Sequence, residues 1–403
     1  YGLNYGGAIY FENIAIVDSC NFKENQVEKY NKRIHGGGAI YFKSEGSVFN
    51  SNFENNNASY NGGAIYFYSK SNINNCEFNY AASSGGAIYS TSNAQVNNCI
   101  FNSNYAKTGG AACFSSSANL TNSDFSHNYA TNDYGGAVYF NAISNATNCT
   151  FVNNSAKQGH GGAIHFNING KVDNCNFTQN TADTRGGAVN FIADGSLFNS
   201  NFINNRASTG GAAYIKDSSN IYDCNFINNS AAQKAGAVYM GGIALVMNSN
   251  FTGNGALEGS AIQFKTNAEI TNSTFLNNKA NASALILNKN DNAVNITFEG
   301  KNNFLNAIYS DENITFKNVL YWGEQGIMNT DDGSVYKSEG APGQNITIKA
   351  YKNNVLVKLY VRVNKKVKNF SCGGFFIGRR RNPVSVLYFY FIYLNNKLFL
   401  CIY

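Results

Sequence analysis

The chain has 403 residues, rich in Gly (39), Tyr (26) and Phe (30), with only two prolines and 13% charged residues, against about 25% in an average soluble domain. That length exceeds one ordinary core, and the shortage of charge disfavours amphipathic helices, so the composition points to a repeat array of strands and turns with a surface of short polar side chains. The net charge of +6 is uneven: residues 1–350 hold 20 Lys and Arg against 24 Asp and Glu, whereas residues 351–403 hold 10 Lys and Arg and no acid. The body therefore lacks the clustered basic footprint of a nucleic-acid binder.

The chain opens at Tyr1–Gly7 with no initiator Met and no signal-peptide pattern, and it enters its first repeat partway through. It reads as a mature chain or a fragment. Two short patterns then alternate. Gly-Gly-Ala-[Ile/Val]-Tyr-Phe starts at Gly6, Gly37, Gly62, Gly85, Gly109, Gly135, Gly161, Gly186 and Gly210, with degenerate copies at Ala235, Gly259 and Ser283. The partner pattern, [Val/Ile/Leu]-x-Asn-[Cys/Ser]-x-Phe-x-x-Asn-x-Ala, places its Phe at 22, 53, 78, 101, 125, 151, 177, 202, 226, 251 and 275. Two independent patterns in lockstep at about 25 residues define a solenoid repeat.

Each copy holds two or three runs of period-two alternation and no stretch long enough for a helix. In Gly62–Phe67 the alternation sends Ile65 and Phe67 inward and Tyr66 outward. The same reasoning places a core ladder of Phe53, Phe78, Phe101, Phe125, Phe151, Phe177, Phe202, Phe226 and Phe251 beside Cys76, Cys99, Cys149, Cys175 and Cys224. Asn before the Cys/Ser position suits a left-handed turn, and the Gly pair supplies the other corner. A unit this small buries its apolar face only by stacking. The predicted fold is an all-β, single-stranded parallel β-helix of about 12 coils, in which Asn154, Asn180, Asn205 and Asn229 pass amide hydrogen bonds from coil to coil.

The repeats occupy residues 1–283. Residues 284–340 read as degenerate terminal coils or a cap, and 341–363 as the start of an incomplete Ig-like β segment. Residues 364–403 form a basic, aromatic tail that reads as a shifted reading frame or a disordered end. The alternative is a membrane anchor flanked by Arg379–Arg381, but Asn395–Lys397 interrupt its apolar run.

Gly-Gly-Ala-Ile paired with Phe-x-x-Asn resembles the repeat of the chlamydial polymorphic outer membrane proteins. The Asn-Cys-x-Phe style, with Tyr321-Trp322-Gly323 before Pro342-Gly-Gln-Asn-Ile-Thr, is more similar to adhesin-like proteins of methanogenic archaea. The resemblance covers about residues 1–350 and implies a right-handed coil, export to the cell surface or medium, and an adhesive role. Nothing after residue 350 matches the outer-membrane barrel of the chlamydial family, which needs many alternating strands.

Interchange of Cys with Ser51, Ser123, Ser200, Ser249 and Ser273 marks a position for a small inward side chain rather than sulfur chemistry, and no metal-ligand spacing occurs. His160 and His165 share a corner without a carboxylate partner and read as incidental. Asp331-Asp332-Gly333 reads as a turn. Sequons such as Asn119, Asn153, Asn228, Asn295, Asn313 and Asn345 are expected in a chain this rich in Asn. The acids Asp124, Asp133, Asp173, Asp183, Asp194, Asp217 and Asp223 fall at different repeat positions, which argues against the converging pair of a β-helix lyase or glycoside hydrolase. The expected function is a non-enzymatic adhesin-like rod without cofactor or metal, with an enzyme or a purely structural filament as alternatives. An outward aromatic stripe (Tyr10, Tyr41, Tyr66, Tyr89, Tyr139, Tyr214 and Tyr239) is the candidate contact face for glycans or surface proteins of other cells. Membrane contact is expected only through the tail.

Overall fold

The computed structural model describes residues 5–28, 36–81, 85–132, 134–266 and 268–278 with their side chains, and elsewhere strand backbone alone. The chain winds as a parallel β-helix. Equivalent strands of successive coils pair in parallel, so Ile65 lies opposite Ile40 and Ile88, and Phe151 opposite Phe125 and Phe177. One sheet of 14 strands runs from Ile9–Phe11 and takes in the Ile-Tyr-Phe segments. Two sheets of 13 strands start at Ala15–Asp18 and Asn21–Lys23. Most coils also add a short fourth strand, such as Tyr105–Ala106, where two or three per coil were expected. The number of coils departs slightly from the expected twelve. Strand backbone at Ser283–Leu287, Asn306–Ser310 and Ile327–Asn329 continues the first sheet. Strands Asn345–Lys352 and Val355–Arg362 pair antiparallel. The expectations of a cap, an Ig-like segment and a tail otherwise lie outside the described residues.

The corners follow from backbone chemistry. Asn50, Asn75, Asn98, Asn122, Asn148 and Asn174 hold φ between 48° and 55°, the left-handed region that Asn tolerates best among residues bearing a Cβ. At the opposite corner Gly135 takes φ 65°, while a Cβ on Gly136 would lie 2.0 Å from the Gly162 carbonyl oxygen of the next coil. The first glycine is needed for its conformation and the second for close approach.

Stacked columns fill the interior, among them a buried row of Phe42 on Phe67 and of Phe140, Phe166 and Phe191. Phe rings from Phe22 to Phe275 lie face to face at 4.7–5.0 Å, and those from Phe53 to Phe251 are all buried. Ile164 is buried in the neighbouring row, between Val138 and Val189.

The Cys/Ser stack does more than fill space. Ser123 Oγ donates to its own Thr121 carbonyl at 2.7 Å and accepts the Cys99 N–H at 3.0 Å. Cys175 Sγ takes the same two roles more weakly, donating to Asp173 O at 3.2 Å and accepting Cys149 N–H at 3.4 Å. The position therefore selects a small donor–acceptor, and either residue type satisfies it.

A further stack is the Asn ladder. Asn104, Asn128, Asn154, Asn180, Asn205, Asn229, Asn254 and Asn278 are fully buried. Each Nδ2 from Asn104 to Asn254 donates to the next Oδ1 at 2.9–3.0 Å and to a Phe carbonyl of the preceding coil. This ladder closes the corner where the chain has no other partner for its backbone polar groups.

Candidate functional site

With the inward positions committed to packing, any binding chemistry lies on the outer columns. The first sheet presents the expected aromatic stripe, and its rings do stack: Tyr41 on Tyr66 at 4.9 Å, Tyr66 on Tyr89 at 5.5 Å, and Tyr214 on Tyr239 at 4.9 Å. Its exposure corrects the sequence reading. Tyr10 is 39% exposed, but Tyr41 is 4% and Tyr66 only 1% exposed. Tyr89, Tyr139, Tyr214 and Tyr239 are half-buried. Tyr5, just before the first glycine pair, folds edge-on against Tyr41 at 5.0 Å. Burial raises the Tyr41 hydroxyl to about 12 and raises that of Tyr66 as well. Ring faces are spent on one another and almost nothing of Tyr41 or Tyr66 remains at the surface, so these two are withdrawn from contact.

The same column continues as His165 and Asn190, which are 1% and 0% exposed. His165 Nδ1 lies 3.1 Å from Asn190 Nδ2, an amide that can only donate, so this nitrogen carries the lone pair. Burial, then the nearby His160, pushes the His165 imidazole down to about 3. The residues preceding the glycine pair form a covering column over it: Tyr134, His160 and Arg185 are linked by parallel bridges. Sequence reasoning passed over Tyr134 and Arg185. Their signal was the variable position just before Gly-Gly, which alternation does not orient.

This burial has a pH consequence. The unfolded imidazole titrates near 6.5 and the folded one near 3. Above 6.5 both states are neutral and stability is complete. Between 6.5 and 3 only the unfolded chain gains the proton, so stability falls by about 1.4 kcal/mol per pH unit. His165→Asn, which repeats the residue of the next coil, should flatten this part of the profile. The check is the difference in melting temperature between the two proteins from pH 7 to pH 4.

The second sheet's outer face carries a shallow, open depression of about 520 Å³ lined by Asp194, Ser196, Asn220, Ile243, Leu245 and Glu269, among others. Beside it Phe198 stacks on Tyr222 at 5.4 Å, with Lys171 Nζ 4.9 Å from the Phe198 ring centre. The third sheet carries an outer carboxamide ladder: Asn250 donates to Asn225, Asn225 to Asn201 and Asn201 to Asn176, at 2.8–2.9 Å.

The nearby acids are engaged singly. Asp173 pairs with Lys171 at 2.9 Å and accepts from Asn199 at 3.0 Å, contacts that hold its carboxyl below the usual range against the opposing effect of burial. Asp194 Oδ1 accepts the Ser218 N–H at 3.0 Å, and Asp183 accepts that of Gln158 at 2.9 Å. Among the described residues no three His, Cys, Asp or Glu side chains cluster as metal ligands. The candidate core thiols Cys76, Cys99, Cys149, Cys175 and Cys224 are buried, and burial pushes Cys224 up to about 12. Such a thiol stays protonated and inert.

A family model described as the right-handed β-helix region matches residues 38–206. No curated protein and no solved structure matches the chain. The match supplies the hand of the coil, which strand pairing and repeat length had left open. The chain is a right-handed parallel β-helix repeat protein.

Proposed function

We propose that this protein is a non-enzymatic, adhesin-like rod, secreted or held at a cell surface, that binds glycans or surface proteins of other cells through its outer columns. The observation carrying this reading is the outer carboxamide ladder Asn176–Asn201–Asn225–Asn250, exposed at Asn176 and Asn250 and half-buried at the two rungs between. Each amide within it spends one N–H and one lone pair on its neighbours, leaving the other N–H and lone pair for a ligand. The unit repeats over four successive coils, so weak contacts multiply along that part of the rod. The likeness of the repeat to polymorphic outer membrane proteins and to methanogen adhesin-like proteins favours the same reading. A polysaccharide-acting enzyme is the second reading, because the depression beside Asp194 and Glu269 offers a place for a sugar chain.

Thr150 and Thr274 already occupy the ladder column, so Asn201→Thr, Asn225→Thr and Asn250→Thr together should leave the coil intact. Adhesion to target cells should fall about tenfold or more, as expected when several linked weak contacts are lost. Unchanged adhesion by the folded triple variant would remove this face from the reading.

A further inference from the structure

The covering column over His165 carries a guanidinium that, among the described residues, no carboxylate pairs. Tyr134, His160 and Arg185 follow one another on successive coils, and each is fixed from beneath or beside. The Tyr134 ring, 36% exposed, rests 4.4 Å from His165 and 5.4 Å from His160. The exposed Arg185 lies over the Tyr214 ring at 4.9 Å, which holds the guanidinium by cation–π attraction. Thr184 Oγ1 donates to the Gly159 carbonyl at 2.6 Å and therefore accepts from His160 Nδ1. His160 Nε2 is the nitrogen left to face a ligand.

Among the described residues Arg185 has no carboxylate partner. Glu258 is paired with Lys234 at 3.1 Å, and Asp183 is taken by the Gln158 N–H. Among the described residues the titratable and charged groups around His160 are Tyr134 on the coil before, Arg185 and Asp183 on the coil after and His165 on its own coil. Burial and then the Arg185 charge lower the His160 pKa, so without an anion the imidazole stays neutral beside the one fixed charge of Arg185.

We infer that Tyr134, His160 and Arg185 form a subsite for the oxyanion of an acidic sugar, a sulfate ester or a carboxylate. The inference rests on the adhesive reading and names one ligand chemistry for it. Arg185 supplies a planar fork of donors for the oxyanion. Protonated His160 adds an Nε2–H, and the edge and hydroxyl of Tyr134 border the sugar ring. Anion binding then takes up a proton at His160, so affinity rises as pH falls.

The test uses the full chain labelled with ¹⁵N-histidine and titrated with glucose 6-sulfate, glucuronate or neutral glucose at matched ionic strength. His127, at a different corner beside Asn153, serves as the internal control. One or both anionic sugars should move the His160 signals saturably and raise its pKa, while glucose and His127 show no such change. A response to one sugar alone identifies which oxyanion the subsite takes. Arg185→Gln should weaken binding about tenfold, and Arg185→Lys less, because the fork is lost but the charge kept. Thr108, Thr209 and Lys234 precede the corresponding corner on other coils, so these variants leave the coil intact. The inference is overturned if neither anion moves His160 beyond glucose, or if Arg185→Gln leaves the affinity unchanged. Neutral-glycan binding at the carboxamide ladder is measured in the same samples, so loss of this subsite is told apart from loss of the adhesive reading.

Discussion

Replacing Phe151 with Asp should unfold the middle of the rod. The ring is fully buried and stacks on Phe125 and Phe177, each at 4.8 Å. Removing it forfeits about 3–5 kcal/mol in transfer and cavity terms. A carboxylate left in its place finds the rings of adjacent coils above and below, and either ionises unpaired or shifts its pKa to stay neutral, at a further cost of several kcal/mol. Because each coil contacts only its neighbours, damage at one coil divides the array into two shorter stacks. The expected observation is loss of the β signal in circular dichroism, or two weaker thermal transitions in place of one. Phe151→Leu should cost far less and retain a single transition. A Phe151→Asp protein with wild-type melting would show that this side chain is not in the core.

The second large effect is expected at Asn180. Its Nδ2 donates to the Phe151 carbonyl at 2.9 Å and to Asn205 Oδ1 at 3.0 Å, while its Oδ1 accepts both the backbone N–H and the Nδ2 of Asn154 at 3.0 Å. Asn180→Ala therefore leaves the buried Phe151 carbonyl and Asn154 N–H without their partner, while Asn205 Oδ1 and Asn154 Nδ2 each keep one bond, to the Asn180 N–H and the Phe125 carbonyl. Each orphaned atom costs about 1–3 kcal/mol, before the cavity left by the side chain is added. Asn180→Asp keeps the acceptor and loses both donations, and it should destabilise more at neutral pH than at pH 3. Chemical denaturation of the two variants at both pH values checks this. Among the described residues the ladder has one natural break: Ala81 stands where the ladder Asn would be, and its N–H reaches across to Asn104 Oδ1 at 3.0 Å. A single gap at one coil is thus tolerated where the surrounding packing has adapted to it.

The contrast between these positions and the Tyr stripe explains how far the sequence could be read. Alternation within Gly62–Phe67 assigns faces correctly, because strand geometry offers each side chain only two directions. It is silent on what lies over an outward side chain. Tyr66 points away from the core stacks and is still buried, because its cover comes from neighbouring columns. Asn posed the reverse difficulty. Asn174, Asn176 and Asn180 lie within seven residues and do three different jobs: a left-handed corner, an exposed ladder rung and a buried ladder rung. Only Phe-x-x-Asn spacing marks the buried one. The oxyanion subsite was hardest to see, because Tyr134, His160 and Arg185 differ in type and share only their place before the glycine pair.

The adhesive reading rests on a surface that holds polysaccharide or protein without altering it. Size-exclusion chromatography with light scattering, on mixtures of the intact protein with neutral and acidic polysaccharides of known chain length, measures attachment and cleavage together. Co-elution of the protein with at least one polysaccharide, whose chain length stays constant over a day, is the expected result. Progressive shortening of the polymer would contradict it and point instead to catalysis in the depression beside Asp194 and Glu269.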